Sequence, residues 1–398
     1  MTAASEGIVI VGAGIAGFTL AESLRAEGME APITVIGEET HPPYLRPPLS
    51  KQVMSGAWTL EQTAIADRDS WDRLGVRFLA GTRATSVDGT ARVIRTDDAD
   101  VPFGILVIAT GVHPRPLGVP GGDAAIGLRN RDDAEALLAS LVTARRVVVI
   151  GTGVLGCELA ASIRMLGKQV ALVGRHATAA FGGLGPWIGE RVIRTLREGG
   201  VEVHLGKRCE RILRDGQAAR TAVLDDGTRL EAELVIAAIG SSPAVDWLIG
   251  SGLELDLSDG VLCDETGRAA PGVYAVGDVA RWASGPGSLS RRHEHQSTAV
   301  EQAHAVARAI THDGAHTTEP IVAGFSSELF AERITVAGDF PPDAPAELAS
   351  GDPASGRFVL HLRRGATLDG AIAWNSPREL RASRLTLLTQ ASRRKTSA

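Results

Sequence analysis

Two glycine-rich turns carry the clearest chemical signal in this chain: Gly12-Ala13-Gly14-Ile15-Ala16-Gly17 and Gly151-Thr152-Gly153-Val154-Leu155-Gly156. A turn of this spacing between a buried strand and a helix lets backbone N–H groups and the helix N-terminus face a pyrophosphate, where side chains would hold the anion off. The first turn follows the apolar run Ile8 to Val11 and opens a helical segment from Phe18 to Glu27. A second apolar strand, Ile33 to Ile36, ends at Gly37-Glu38, about where a carboxylate reaches a ribose hydroxyl. Glu39 is adjacent, so either acid suits that role. The second turn follows Arg146 to Ile150 and leads into a helix through Met165 and a strand from Gln169 to Val173. One such fingerprint is weak, because glycine turns also serve plain strand-to-helix packing; two complete units in one chain are strong evidence for two dinucleotide sites.

The elements that must position these turns follow from the rest of the pattern. Two further buried strands end in glycine turns, Leu106 to Ala109 before Thr110-Gly111 and Leu234 to Ala238 before Ile239-Gly240, and each marks a crossing between domains. The run Gly272 to Ala280 reads as a strand ending at Gly277-Asp278 that returns the chain to the first domain, followed by a helix from Thr298 to Ile310. From about Thr317, strand-like runs at Arg333 to Ala337 and Phe358 to Leu362 alternate with Pro- and Gly-rich turns. The expected fold is α/β: two Rossmann-like dinucleotide-binding domains plus a small C-terminal α+β domain. The boundaries expected are 1–113 with 242–314 for the first domain, 114–241 for the second and 315–398 for the third.

Composition removes several function classes. With 398 residues, 44% hydrophobic and 22% charged, the chain is globular and suits two to three domains rather than disorder. A balance of 41 Lys plus Arg against 47 Asp plus Glu gives no general attraction for polyanions, so nucleic acid is not expected as a partner. Three well-separated cysteines, Cys157, Cys209 and Cys263, show neither a CxxC pair nor zinc spacing, which suits a reducing compartment and no metal. His293 and His295 lack a third ligand at metal spacing. The start Met1 to Glu6 has no basic region, and the longest apolar stretch, Val147 to Ile163, is broken by glycines and Glu158. A cytoplasmic protein with no membrane partner, as a monomer or weak dimer, is expected.

Beyond the two turns, the segment Tyr44-Leu45-Arg46-Pro47-Pro48-Leu49-Ser50-Lys51 resembles the RPPLSK element of the oxygenase-coupled ferredoxin and rubredoxin reductases, members of the two-dinucleotide-binding-domain flavoprotein family. Leu128-Arg129 followed by Asp132-Asp133-Ala134 is similar to that family's LRTLEDA segment, and Glu294 to Ala303 to its EHWDNAVEQG helix entry. The resemblance covers nearly the whole chain. It implies FAD on the first unit, a nicotinamide cofactor on the second and a small iron–sulfur protein, a ferredoxin, as electron acceptor serving an oxygenase. No cysteine pair stands beside the flavin, which excludes the dithiol chemistry of the family's disulfide reductases.

Residue by residue, the resemblance places Gly12, Gly14, Ile15, Ala16 and Gly17 at the FAD pyrophosphate and Glu38 at its ribose. Lys51 falls near the reactive flavin edge, Arg46 and Arg129 at the flavin's ring or phosphate side, and Asp278 with Gly277 at the ribityl chain. Ala84 meets the adenine through its backbone, and Thr110, Gly111 and Gln296 complete the FAD set. On the second unit, Gly151, Gly153, Leu155, Gly156 and Gly240 line the nicotinamide nucleotide. Glu158, a charge on an otherwise apolar helix start, must pair, and the family has a Glu here close to the nicotinamide and within reach of Lys51. The alternative is an acid that simply complements the helix dipole. Where NAD-specific folds carry an acid after the second strand, this chain has Gly174-Arg175-His176, which favours NADPH over NADH through the ribose 2′-phosphate.

The chain also departs from the resemblance. The family's flavin-facing Trp becomes Gln296, with Ser297-Thr298 after it, and its FWSDQ element corresponds to Phe325-Ser326-Ser327-Glu328-Leu329, where Ser326 replaces a second Trp. The cavity at the flavin is therefore expected to be more open unless Phe330 or Trp374 fills it. Trp58, Trp71 and Trp187 are read as packing residues. Cys157 sits at a helix start where the dipole could lower its pKa, although a small packed residue fits there as well. Docking cations for an acidic ferredoxin are sought at Arg291 and Arg292, Arg363 and Arg364, and Arg378, Arg381 and Arg384 on one helix face, with Arg393 to Lys395 as a frayed tail. The alternatives to a carrier reductase are a flavoenzyme that reduces a small molecule, a flavin or dioxygen directly, and a flavin-bound interaction protein with little turnover.

Overall fold

The computed structural model describes residues 7–396 apart from 68, 217, 284–291, 313–319, 342 and 343. Its first sheet has six strands in the spatial order Arg268–Ala270, Val273–Ala275, Ile105–Ile108, Ile8–Val11, Ile33–Gly37 and Val76–Ala80. All its neighbours are parallel except the first pair. Ile8–Val11 reads IVIV and is buried throughout, as a central strand covered on both faces requires. The glycine-turn helix Ile15–Ala26 packs on Gln296–Thr311, so the late strand and helix do rejoin the first unit.

The second sheet runs Glu202–Leu205, Gln169–Gly174, Arg146–Ile150 and Leu234–Ala237, all parallel. Helices Val154–Met165 and Pro186–Glu198 contribute to the core on one face, and the antiparallel strands Cys209–Asp215, Ala218–Leu224 and Arg229–Glu231 to that on the other. The two chain crossings, Val112–Pro114 and Ser241–Pro243, pair with each other as a short antiparallel ribbon.

A third, wholly antiparallel sheet is ordered Ser326–Leu329, Glu332–Gly338, Thr367–Trp374, Arg357–Arg364 and Ala346–Asp352, with helix Leu380–Thr396 packed against it. This helix departs from expectation at both ends. It begins at Leu380, so Arg378 lies in the preceding turn and shares no helix face with Arg381 and Arg384. It also continues through Arg393, Arg394 and Lys395 instead of fraying.

The third sheet does not stand apart from the second. One continuous core takes in Leu329, Ile334, Phe358 and Trp374 from the third sheet and Ile188, Val192 and Leu196 from helix Pro186–Glu198. The Arg191 guanidinium lies over two rings of that core, 5.2 Å from the Phe358 centroid and 4.8 Å from that of Trp374. Phe330 enters a notch at Gly199, where even a Cβ would come within 2.2 Å of its ring. Neither Phe330 nor Trp374 is thus placed beside Gln296, the position at which an aromatic was sought to replace the missing Trp.

Candidate functional site

The two glycine turns have the same construction. Gly12 and Gly151 take φ of 115° and 119°, and a Cβ on either would approach the carbonyl oxygen of Ala109 or Ala238 to 2.2 and 2.1 Å. Gly17 and Gly156 are closed in likewise, each with a Cβ position 1.9 Å from the oxygen of the turn's first glycine. Gly14 and Gly153 differ: apart from their own chain neighbours, no protein atom lies within 4 Å of the Cβ either would carry. Both helices start there without a side-chain cap or an acid in the first turn, so the N–H groups of Ile15, Ala16, Leu155 and their neighbours face that space. An open cradle at a helix N-terminus fits a pyrophosphate in each fold.

The adjacent acids Glu38 and Glu39 are separated by their partners. Glu39 is committed to the fold: Arg46 Nη2 donates to it at 2.6 Å and the Tyr44 hydroxyl donates to its other oxygen. Burial pushes the Tyr44 pKa up, so this hydroxyl stays protonated and also accepts from Arg131 N at 3.0 Å. Glu38 remains exposed at the strand end, 3.8 Å from Arg83. Arg46 spans from this cluster to the carbonyl of Arg129 at 2.8 Å.

Arg129 in turn donates to Asp278 at 2.9 Å across the Thr110-Gly111 turn. Gly111 makes that crossing possible, because a Cβ there would sit 2.9 Å from Arg129 Nη2. Asp278 follows Gly277, whose N–H donates to the buried Gln302 side chain at 2.8 Å. Thr110 donates to the Ala244 carbonyl at 2.8 Å and ties the first crossing to the second. Ala84 opens the strand Ala84–Asp88, and Gly240 lies at the second crossing with open space where its Cβ would be.

The two residues expected to be catalytic meet across the domains. Lys51 lies in the short helical turn Leu49–Val53, widened by a bond from Val53 N to Pro48 O, and its Nζ is 3.2 Å from Glu158 Oε1. Glu158 is 3% exposed, and its charge is paired with Lys51 inside the protein. Ser50 Oγ also donates to Glu158 Oε2, and Ser327 Oγ donates to Oε1 at 2.7 Å. One carboxylate therefore joins the first domain's RPPLSK turn, the second domain's helix and the third sheet. The neighbouring Cys157 is fully buried, and burial with Glu158 beside it pushes the thiol pKa up, opposite to a dipole-activated cysteine.

At the start of helix Gln296–Thr311, the His295 ring packs at a tilt against Phe325, centroids 5.1 Å apart, with His293 5.7 Å away on the same run. Burial holds the His295 pKa down at about 4, with His293 adding to the shift. Ser297 donates to the Gly324 carbonyl at 2.8 Å, while Ser326 is exposed and bonds to Thr335. Rings are thus present next to Gln296, supplied by neighbours one position before each of the two replaced tryptophans.

The docking cations proposed from sequence fare unevenly. The Arg292 side chain is 9% exposed and held by Glu294 at 2.7 Å, which removes it from a docking surface. Arg364 is paired with Asp369 and Arg384 with Glu301. Arg363 and Arg381 remain at the surface of the third sheet and its helix, and Arg291 lies outside the described residues. Sequence reasoning missed Ser50, Ser327, Tyr44, Gln302 and Arg292 as members of these networks. Ser50 stood inside a recognised motif, yet nothing in the sequence ties a serine at 50 or 327 to an acid at 158.

Two dinucleotide folds that bring a buried ion pair together at their junction define a dinucleotide-dependent oxidoreductase. The chain belongs to the pyridine nucleotide-disulphide oxidoreductase family, whose model matches residues 6–303. It is 35% identical over 378 residues to the ferredoxin reductase component of chlorobenzene dioxygenase from Cupriavidus sp. (strain PS12), covering 94% of this chain and 90% of that protein. It is 33% identical over 377 residues to the ferredoxin–NAD(+) reductase subunit of the benzene 1,2-dioxygenase system from Pseudomonas putida, again covering 94% and 90%. Among solved structures, the reductase in a covalent putidaredoxin reductase–putidaredoxin complex superposes with a TM-score of 0.91 at 29% identity, over 98% of this chain and 94% of that one. Although the family is named for disulphides, Cys157, Cys209 and Cys263 are all free and buried here. Among the described residues, no helix is long and apolar enough to cross a membrane.

Proposed function

We propose that this protein is an FAD-dependent reductase that oxidises NAD(P)H and passes single electrons to a ferredoxin-type iron–sulfur protein serving an oxygenase. The observation that carries the reading is the buried Lys51–Glu158 pair, 3.2 Å apart, where the two dinucleotide folds meet. Residues 1–113 with 242–314 hold FAD, 114–241 hold the nicotinamide cofactor, and 315–398 close the site. Bound FAD supplies the chemistry of taking an electron pair as hydride and releasing it one electron at a time.

The chain's own residues position the partners in that exchange. Gly12 to Gly17 receive the FAD pyrophosphate and Glu38, free of the Glu39–Arg46–Tyr44 cluster, receives the ribose hydroxyls. Arg129 and Asp278 hold each other along the flavin side of the Thr110-Gly111 turn, with Arg46 bracing Arg129. Lys51, its ammonium held by Glu158, would supply a fixed positive charge to the flavin, a role the resemblance assigns to it. Gly151 to Gly156 and Gly240 receive the nicotinamide nucleotide, and Arg175 with His176, 3.1 Å from it, favours NADPH. Relatives are named both as NAD(+) and as NAD(P)(+) reductases, so the preference rests on this chain's own loop. Free buried thiols suit the reducing cytoplasm.

The acceptor is a protein in the relatives whose names state it, and the acceptor here is of the same kind. Gln296 and Ser326 in place of tryptophans favour a second reading, direct reduction of a small molecule. Anaerobic stopped-flow reduction by NADPH, followed by mixing with ferredoxins or with air, separates the two. Fast oxidation by a ferredoxin and slow oxidation by air is expected; the reverse would overturn the carrier role. Lys51→Ala should retain FAD yet slow flavin reduction at least tenfold, and an unchanged rate would remove Lys51 from the mechanism.

A further inference from the structure

The two dinucleotide folds can be matched through their own contacts, without any outside template. Gly12 N donates to Ile36 O, and Gly151 N to Val173 O, both at 2.8 Å. A Cβ on Gly37 would lie 2.7 Å from Ala13, and one on Gly174 would lie 2.4 Å from Thr152, so the same step of each second strand runs under its turn. The next strand then returns to the same carbonyl in each fold: Thr82 N donates to Gly37 O at 2.9 Å and Lys207 N to Gly174 O at 3.0 Å. The glycines just before, Gly81 and Gly206, have φ of 67° and 66°. This match puts Arg175 where the first fold has Glu38, Lys207 where it has Thr82 and Arg208 where it has Arg83.

The first fold therefore offers a carboxylate and a neutral hydroxyl at its ribose end, and the second offers two cations at the same two places. Their settings differ in a useful way. Arg175 forms no ion pair among the described residues and bonds only to His176. Lys207 Nζ is 2.8 Å from Asp226 Oδ2, which raises the lysine's pKa and lowers that of the carboxyl. An ammonium has three donors, so Asp226 orients Lys207 through one and leaves the others available. Arg208 is turned to Asp225 at 3.4 Å and is 76% exposed, so it contributes less.

We infer that Lys207 is a specificity-determining residue of the second fold, which together with Arg175 binds the ribose 2′-phosphate of NADPH. The inference rests on the reading of the second fold as an NADPH site. Lys207 N bonds to the carbonyl of Gly174, the residue before Arg175, so the two segments lie side by side, and a phosphate dianion held there would be fixed by cations from two chain segments.

The test is calorimetric titration of the FAD-loaded, oxidised protein with adenosine 2′,5′-bisphosphate and with 5′-AMP, which differ only in the 2′-phosphate. The wild-type protein should bind the bisphosphate at least tenfold more tightly. Lys207→Gln should reduce that ratio about tenfold with 5′-AMP affinity unchanged, and Lys207→Arg should restore most of it. A ratio unaffected by Lys207→Gln but abolished by Arg175→Glu would overturn the role of Lys207 and leave the NADPH reading standing. A wild-type ratio near one would overturn both.

Discussion

Exchanging Lys51 and Glu158 for uncharged residues of similar size, singly and together, tests whether the interdomain pair is energetically coupled. The two side chains are 12% and 5% exposed with 3.2 Å between Nζ and Oε1. At an effective dielectric of about 20 that separation corresponds to about 5 kcal/mol of attraction, set against the cost of desolvating both ions. Glu158→Gln keeps hydrogen bonding with Ser50 and Ser327, whose hydroxyls can donate or accept, but strands the Lys51 ammonium, for a loss of about 3–5 kcal/mol. Lys51→Met strands the carboxylate instead, which the two serines still solvate, so its loss lies toward the lower end of that range. The double variant strands nothing and should recover about 3 kcal/mol relative to the sum of the singles. Urea titrations at fixed protein and FAD concentrations, followed by tryptophan and flavin fluorescence, measure the cycle. A double variant whose loss equals the sum of the two singles would refute the coupling and leave the 3.2 Å contact without energetic meaning.

Two further outcomes follow from the same geometry. Because a Cβ at Gly14 or Gly153 would meet no protein atom within 4 Å beyond its own chain neighbours, Gly14→Ala should fold but lose FAD affinity at least tenfold, whereas Gly153→Ala should stay yellow and raise KM for the nicotinamide cofactor. Flavin content after gel filtration and steady-state kinetics distinguish them, and equal flavin content in both would contradict the assignment of the turns. His295 titrates at about 4 when folded against 6.5 as its ordinary value, so the unfolded chain binds more protons between those limits. Its contribution makes stability rise with pH from about 4 to about 6.5 and removes up to about 3 kcal/mol on acidification through that window. His295→Gln should flatten the slope; an unaltered pH dependence would show that the buried imidazole does not set it.

Both dinucleotide folds were legible because each strand–turn–helix is a local object: Gly17 closes onto the carbonyl of Gly12, and Gly156 onto that of Gly151, five residues earlier in each turn. The Lys51–Glu158 contact was reached through resemblance and the burial of a charge, not through spacing, since its partners are 107 residues apart. What sequence could not order were contacts between equals. Glu38 and Glu39 look alike until Tyr44 and Arg46 claim one of them, and Arg292 looks like its neighbours until Glu294 and Asp259 enclose it. The last helix was misjudged at both ends for a related reason: sheet packing at residues such as Leu380 and Leu387 fixes where it runs, and the spacing of arginines carries no information about that.

The core shared by the second and third sheets bears on how the chain is made. Strands of the second fold are complete at residue 237, but the side chains that cover helix Pro186–Glu198, among them Phe358 and Trp374, come from the last sheet. At about 5–20 residues per second, ribosomal synthesis delivers that sheet on the order of ten seconds later. During this interval the nascent chain carries an apolar face with nothing to lie against it. The yield of native protein is then a race between translation and self-association, which slower growth at low temperature or a chaperone holding residues 186–198 would bias toward the folded reductase.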